Sequence, residues 1–287
     1  MGMVKTVGLV LHPQRDSKEA IDTIVEWART RAVTVLGLPE EVDRIDCSAV
    51  RVDAATLAER ADLLVSLGGD GTMLRTMRLA SGRSTPVLGV NLGKLGFLAE
   101  IDVDELPPAL SAIDDHRFTV EPRMAVRAHM PDGEVITAFN DIALVRIPGE
   151  GLSAVSISVA GHPFVRYASD AVIVATATGS TAYNFSAGGP LVSPLVEGFL
   201  VVPAAAHSSF NRALVLSADE EVMLELLPSS GQLAVEVDGS VGGHLAPGDR
   251  LTVTAVRSAG RVVRLGTTTF YERARRKLRV SGSAEVD

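Results

Sequence analysis

Residues 61–67 form an apolar run that stops abruptly at Gly68-Gly69-Asp70-Gly71-Thr72, and a pattern placing Met73, Leu74, Met77 and Ala80 on one side follows. A short apolar run closed by glycines predicts a buried strand, and the spacing after it predicts a helix beginning near Thr72. The same alternation fills the first third of the chain. Residues 6–11 read as a strand closed by His12-Pro13, and residues 16–31 as a helix with Ala20, Ile21, Ile24, Val25 and Ala28 on one stripe. Asp16 and Glu19 have capping-box spacing at its start. Further strands are expected over 32–36 and 86–90. Strands separated by helices imply parallel pairing with right-handed crossovers, so the first domain is an open, mostly parallel α/β sheet.

The pattern changes near residue 118. Residues 123–130 and 135–147 flank Pro131-Asp132-Gly133, a hairpin signal. Strands are then expected over 154–159, 171–175, 214–217, 222–227, 233–237, 251–256 and 261–266, with almost no helix between them, which predicts an all-β, sandwich-like second domain. A closing helix is expected over 270–278. The division is 1–118 for the α/β phosphate-binding domain and 119–267 for the β-rich domain, with 268–287 returning to the first. A chain of 287 residues with 46% hydrophobic content can bury two such cores.

The Gly68–Thr72 segment carries the sharpest chemistry. Glycines permit positive φ and let backbone N–H groups approach an anion, and the helix that follows adds its positive end. A carboxylate there repels phosphate unless a metal intervenes, so Asp70 either holds magnesium or takes a proton from an attacking hydroxyl. The bland alternative is a tight Asp-Gly turn linking strand to helix. Residues 88–94 resemble a phosphate loop only at Gly93-Lys94, because Leu88 stands where a Walker A has its first glycine. Gly89, Gly93 and Gly96 also lack GxGxxG spacing. A second informative stretch, residues 170–190, reads DAVIVATATGSTAYNFSAGGP. Its small residues could let a flat ligand lie on the backbone beside Tyr183, or could serve tight packing alone.

Several classes are set aside by composition. A net charge of −8 argues against a nucleic-acid binder. No run of about 18 apolar residues predicts a membrane span, and the start of the chain has no signal-peptide pattern. A lone Cys47 leaves no intramolecular disulfide or cysteine-clustered zinc site, so a cytoplasmic location is expected. The six histidines show no metal-ligand spacing. The basic cluster Arg273, Arg275, Arg276, Lys277 and Arg279 reads as a solvated face of a terminal helix.

GGDGT at 68–72, LGVNLGKLGFLAE at 88–100, Asn140-Asp141 and TGSTAY–SAGGP at 178–190 together resemble the NAD kinase family. Weaker echoes are Pro203 with His207 and Arg212, and Asp238-Gly239. GGDGT alone is shared with lipid kinases; the TGSTAY–SAGGP block is what separates the families. The resemblance implies transfer of a phosphate from ATP or polyphosphate, with Mg2+ or another divalent cation, to the 2′-hydroxyl of the adenosine ribose of NAD. It makes Asp70 the general base or magnesium-side carboxylate, and gives Gly68, Gly69, Gly71 and Thr72 to the phosphates. Asn140, Asp141, Asp170, Thr181, Ala182, Tyr183 and Ser186 would hold NAD, and a homodimer or homotetramer is implied. Four positions depart from the family pattern: Asp141 stands for a glutamate, Ala171 for a glycine, and Ala177 and Ala213 for prolines. They leave open a paralogue acting on another nucleotide, polyol or lipid, or a nucleotide-binding regulator without catalysis.

Overall fold

The structure is a computed structural model, and it describes residues 4–45, 47–93, 96–266 and 268–280. The chain divides into two compact units. One takes in the described residues up to Pro122 together with those from Gly260 onward; the other is Arg123–Ala259.

The first unit alternates as its sequence pattern demands: β1 (Thr6–Leu11), α1 (Lys18–Thr30), β2 (Thr34–Gly37), α2 (Pro39–Ile45), β3 (Val50–Arg51), α3 (Ala54–Arg60), β4 (Leu63–Gly68), α4 (Asp70–Leu79), β5 (Val87–Asn91), β6 (Ile101–Asp102) and α5 (Leu106–Asp114). The strands form a parallel sheet in the order β3-β2-β1-β4-β5-β6. Apart from Thr6 its central strands are buried throughout, which is why they read as apolar runs. Trp27 packs between helices, its indole N–H donating to Asp114 Oδ2 at 3.1 Å. Two local expectations need correction. Helix α1 starts after Ser17, and the Asp16 carboxylate takes the Lys18 N–H two residues on, so Asp16 and Glu19 form no capping box. Helix α4 starts at Asp70 rather than near Thr72, because Gly69 already serves as its N-cap.

The second unit continues with β7 (Thr119–His129), whose first residues belong to the first unit, then β8 (Val135–Ala138), β9 (Asp141–Arg146), β10 (Ala154–Val159), β11 (His162–Ala168) and β12 (Ala171–Thr176). A 3-10 turn over Thr178–Thr181 leads to α6 (Tyr183–Ser186) and then to β13 (Gly198–Ala204), β14 (Leu214–Ser217), β15 (Glu221–Leu226), β16 (Leu233–Val237), β17 (Ser240–Leu245) and β18 (Arg250–Arg264). One antiparallel sheet runs β14-β13-β12-β9-β16-β17, and a second antiparallel ladder runs β11-β10-β15-β18. Alternate residues of both, among them Ile142, Val174, Phe199, Val155, Leu224 and Val253, meet in one core, which makes the unit a sandwich. The unit boundaries fall at 122/123 and 259/260, inside β7 and β18, at Pro122 and Gly260. The separate strands expected over 251–256 and 261–266 are one strand.

After β18 the chain closes with α7 (Phe270–Lys277), capped by a reciprocal Thr269–Glu272 box. This helix is not simply a solvated basic face. Arg273 is 3% exposed and its Nη2 lies 2.7 Å from Glu100 Oε2, whose side chain is fully buried; Arg264 Nη1 reaches the same oxygen at 2.8 Å. Leu265 N–H donates to the other Glu100 oxygen at 2.8 Å. Two guanidinium groups and a backbone donor compensate the buried carboxylate, and removing one exposes the cost of burying charge. The variant Arg273→Met is expected to lower the stability of the first unit by about 3 kcal/mol, read as a drop in the urea unfolding midpoint.

Candidate active site

In the first unit the expected phosphate segment sits where β4 turns into α4, at the carboxyl edge of the parallel sheet, where ligands bind in such folds. None of Gly68, Gly69 and Gly71 has a positive φ, so conformational freedom is not their reason for being glycine. Space is. A Cβ on Gly68 would lie 2.2 Å from Thr72 Oγ1, whereas Gly69 and Gly71 present open backbone. Thr72 itself is buried, and its hydroxyl packs against Gly68. The first backbone bond of the helix runs from Met73 N–H to the Gly69 carbonyl, so the N–H groups of Gly71 and Thr72 precede the ladder.

Asp70 opens the helix and is held on both oxygens. Oδ2 accepts the Phe97 N–H at 3.0 Å, and Oδ1 accepts the Leu98 N–H at 3.0 Å. The Lys277 ammonium adds a 3.1 Å ion pair to Oδ2. A Cβ on Gly96 would stand 2.2 Å from Oδ1, so only glycine lets the loop close this tightly on the carboxylate. Arg15, just after β1, brings its guanidinium 2.8 Å from where a Gly93 Cβ would be and 4.0 Å from that of Gly69. It has no ion-pair or side-chain hydrogen-bond partner among the described residues. Its loop is set by His12, whose Nδ1 accepts the N–H groups of Gln14 and Arg15. Burial, reinforced by Arg15, Arg44 and Arg75, pushes the His12 imidazole pKa down and keeps that acceptor neutral. Sequence reasoning missed Arg15, Gly96 and Lys277; a basic residue at the carboxyl edge of β1 was the signal for the first. Lys94, at the loop's other end, lies outside the described residues.

In the second unit, Phe139 and Asn140 interrupt the single strand expected over 135–147, and Asp141 opens β9. Asp238, at the turn after β16, takes the Asn140 N–H on Oδ1 at 2.7 Å, with longer bonds from Phe139 and Asp141. The TGSTAY block packs on this corner. Thr176 Oγ1 donates to the Phe139 carbonyl at 2.6 Å and accepts the Gly179 N–H at 3.0 Å. A Cβ on Gly179 would lie 2.0 Å from the Asn140 carbonyl oxygen, so the close approach requires glycine. Asn184, fully buried, donates to the Ser180 and Pro190 carbonyls and fixes α6.

This brings Asn140, Asp141, Thr181, Ala182 and Tyr183 together. Tyr183 lies on the sheet face formed by Ala143, Ala171, Ile173 and Ala175, and its backbone N–H donates to the Asp141 carboxylate. Ser186 is exposed at the end of α6. Asp170 stands further along β12: Asp141 pairs with Ala175, five residues on, which places Asp170 roughly 16 Å from Asp141 along the strand, while its charge still acts on the Tyr183 phenol. There it forms a 3.1 Å ion pair with Arg146. No group of three or more His, Cys, Asp or Glu side chains among the described residues is placed to hold a metal ion.

Asp141 is 3% exposed, and burial together with the Asp238 charge pushes its carboxyl pKa up to about 7. The folded chain therefore holds a proton there that the unfolded chain releases near 3.8. The resulting stabilisation is complete below about pH 4 and is lost as pH rises toward 7. The variant Asp141→Asn removes this dependence. Between pH 5 and pH 8 the parent should lose about 2–3 kcal/mol relative to the variant in urea unfolding.

Residues 7–118 match the ATP-NAD kinase N-terminal domain family, and residues 139–265 match the ATP-NAD kinase C-terminal domain family. NAD kinase 1 of Streptomyces avermitilis is 36% identical over 316 residues, covering 97% of this chain and 88% of its own. The NAD kinase of Moorella thermoacetica is 35% identical over 289 residues, covering 99% and 92%. Among solved structures, yeast NADH kinase complexed with NADH superposes with a TM-score of 0.88 at 27% identity, covering all of this chain and 91% of the other. The Archaeoglobus fulgidus NAD kinase in complex with ATP gives 0.75 at 26% identity, covering 96% and 100%.

Proposed function

This chain belongs to the NAD kinase family, and we infer from that premise how its residues divide the transfer of a phosphoryl group from ATP to NAD. It is a phosphotransferase with an alcohol acceptor, and its product is NADP. The observation that carries the assignment of roles is the tethered Asp70 carboxylate beside the open backbone of Gly69 and Gly71.

In this reading the ATP phosphates lie against Gly69 and Gly71 at the positive end of α4, with the Arg15 guanidinium, which has no ion-pair partner among the described residues, as a further donor. The ribose 2′-hydroxyl of NAD attacks the terminal phosphorus. The new O–P bond forms as the bond to the ADP oxygen breaks, ADP leaves with that electron pair, and the hydroxyl proton passes to Asp70. Little covalent work is asked of the protein, so most of the acceleration comes from positioning and charge compensation. Asn140, Asp141 and Tyr183, with Thr181 and Ala182, form the NAD-holding corner. Asp141, protonated below about pH 7, can donate to an acceptor as well as accept. Asp170, whose charge reaches Tyr183 from the far end of β12, and Ser186, at the end of α6, would serve at a different part of the ligand.

With no protein cage for a metal among the described residues, the donor set fits a magnesium ion carried on the phosphates of ATP. Bound there it would neutralise phosphate charge. Asp70 has two donors already on Oδ2 and is better employed on the hydroxyl than on the ion. A homo-oligomer in the cytoplasm completes the proposal. The exposed Phe164 and Phe210, edge to face at 5.6 Å on the second unit, support a surface that is covered by another subunit.

NADP formation from NAD and magnesium ATP tests this directly. The wild type should turn over, and Asp70→Ala should lower kcat by about 10²- to 10⁴-fold with KM for NAD little changed. A wild type that makes no NADP, or an Asp70→Ala variant of undiminished kcat, would contradict the assignment.

A further inference from the structure

Helix α7 turns two cations inward, Arg273 and Lys277, four residues apart and therefore on one face. Arg273 is locked into the buried Glu100 cluster. Lys277, one turn further, reaches the front of the same loop: its Nζ lies 3.1 Å from Asp70 Oδ2 and 4.6 Å from the centroid of the Phe97 ring. The Lys277 and Asp70 side chains are 36% and 26% exposed. An ion pair so open to solvent adds little to stability. What it does change is which carboxylate lone pairs remain free.

Each carboxylate oxygen has about two acceptor positions. On Oδ2 both are occupied, by the Phe97 N–H and the Lys277 ammonium. On Oδ1 the Leu98 N–H occupies one. The second position on Oδ1 takes no donor among the described residues, and Gly96 packs close against that oxygen without a side chain to cover it. We propose that Lys277 is a positioning residue for phosphoryl transfer: by occupying Oδ2 it makes Oδ1 the atom that receives the hydroxyl proton, and by its charge it lets a carboxylate stand beside the phosphates of the donor. The proposal rests on Asp70 being the group at the reacting hydroxyl. Arg273 and its bonds to the Phe97 and Glu100 carbonyls keep α7 in register so that Lys277 reaches its target.

Steady-state kinetics of Lys277→Met and Lys277→Arg, alone and with Asp70→Ala, test it with NAD and magnesium ATP as substrates. Methionine keeps the apolar stem over Phe97 and removes the charge, whereas arginine can still donate to Oδ2. The expected result for Lys277→Met is a kcat lowered about 10- to 100-fold, with both KM values and the thermal midpoint unchanged. Lys277→Arg should recover most of the loss. Added to Asp70→Ala, Lys277→Met should cost nothing further, because the ammonium acts through the carboxylate. Wild-type kcat in Lys277→Met, with Asp70→Ala inactive, overturns the proposal and leaves the role of Asp70 standing. So does a loss confined to KM for ATP, which would make the lysine a ligand of the donor. Equal impairment of the Met and Arg variants with a lowered midpoint would make it a structural clip and also overturns the proposal. Undiminished turnover in Asp70→Ala overturns both the proposal and the reading beneath it.

Discussion

Two peptide units, those of Phe97 and Leu98, connect the buried charge of the first unit to the Asp70 carboxylate. Their N–H groups donate to Asp70, while their carbonyls accept from Arg273 and Arg264 at 3.4 Å. Behind them, Glu100 collects both guanidinium groups and the Leu265 N–H, and its own N–H donates to the Gly89 carbonyl of β5. The loop is therefore pinned to the sheet on one side and to the returning C-terminal segment on the other. A carboxylate oriented by backbone donors loses little entropy when a substrate hydroxyl arrives, which is the form of preorganisation phosphoryl transfer needs. The segment after β18 is thus part of the site's construction, although it lies some two hundred residues from Asp70 in sequence.

The second unit uses a similar device for a different end. There Asp238 accepts the N–H groups around Asn140, and the Asn140 carbonyl sits where Gly179 has no side chain. The corner so formed holds Asp141 in a buried place next to another carboxylate, a location that costs stability at neutral pH. Structural convenience does not explain an acid kept there, since among the described residues only the Tyr183 N–H compensates it. Perturbed carboxylates of this kind collect at functional sites. The shorter aspartate in place of the family's usual glutamate remains consistent with the NAD-holding role, because its carboxylate still meets the backbone at the start of α6.

Much of this was legible in the sequence, and the reasons for the rest are physical. Buried parallel strands such as β1 and β4 announce themselves because both faces are apolar. The short polar elements α2 and α3, and β11 with its mostly exposed side chains, carry no such periodic signal and were missed. The GGDGT and TGSTAY segments stood out by composition, yet the reason for their glycines did not. Close approach to Thr72 and Asn140, rather than positive φ, requires glycine at 68 and 179. Arg273 and Lys277 looked like members of a solvated cluster because their partners, Glu100 and Asp70, are distant in sequence. Spacing within α7 shows that the two share a face, but not what that face meets.

Every residue role above turns on delivery of a phosphoryl group to the adenosine ribose 2′-oxygen of NAD. The most direct measurement is a 31P NMR time course of NAD with magnesium ATP and the enzyme, with proton coupling retained. The terminal resonance of ATP is expected to give way to a phosphomonoester signal coupled to the ribose 2′ proton, in step with the appearance of ADP. Loss of ATP to inorganic phosphate alone, or a monoester coupled to any other carbon's proton, would contradict delivery to that oxygen.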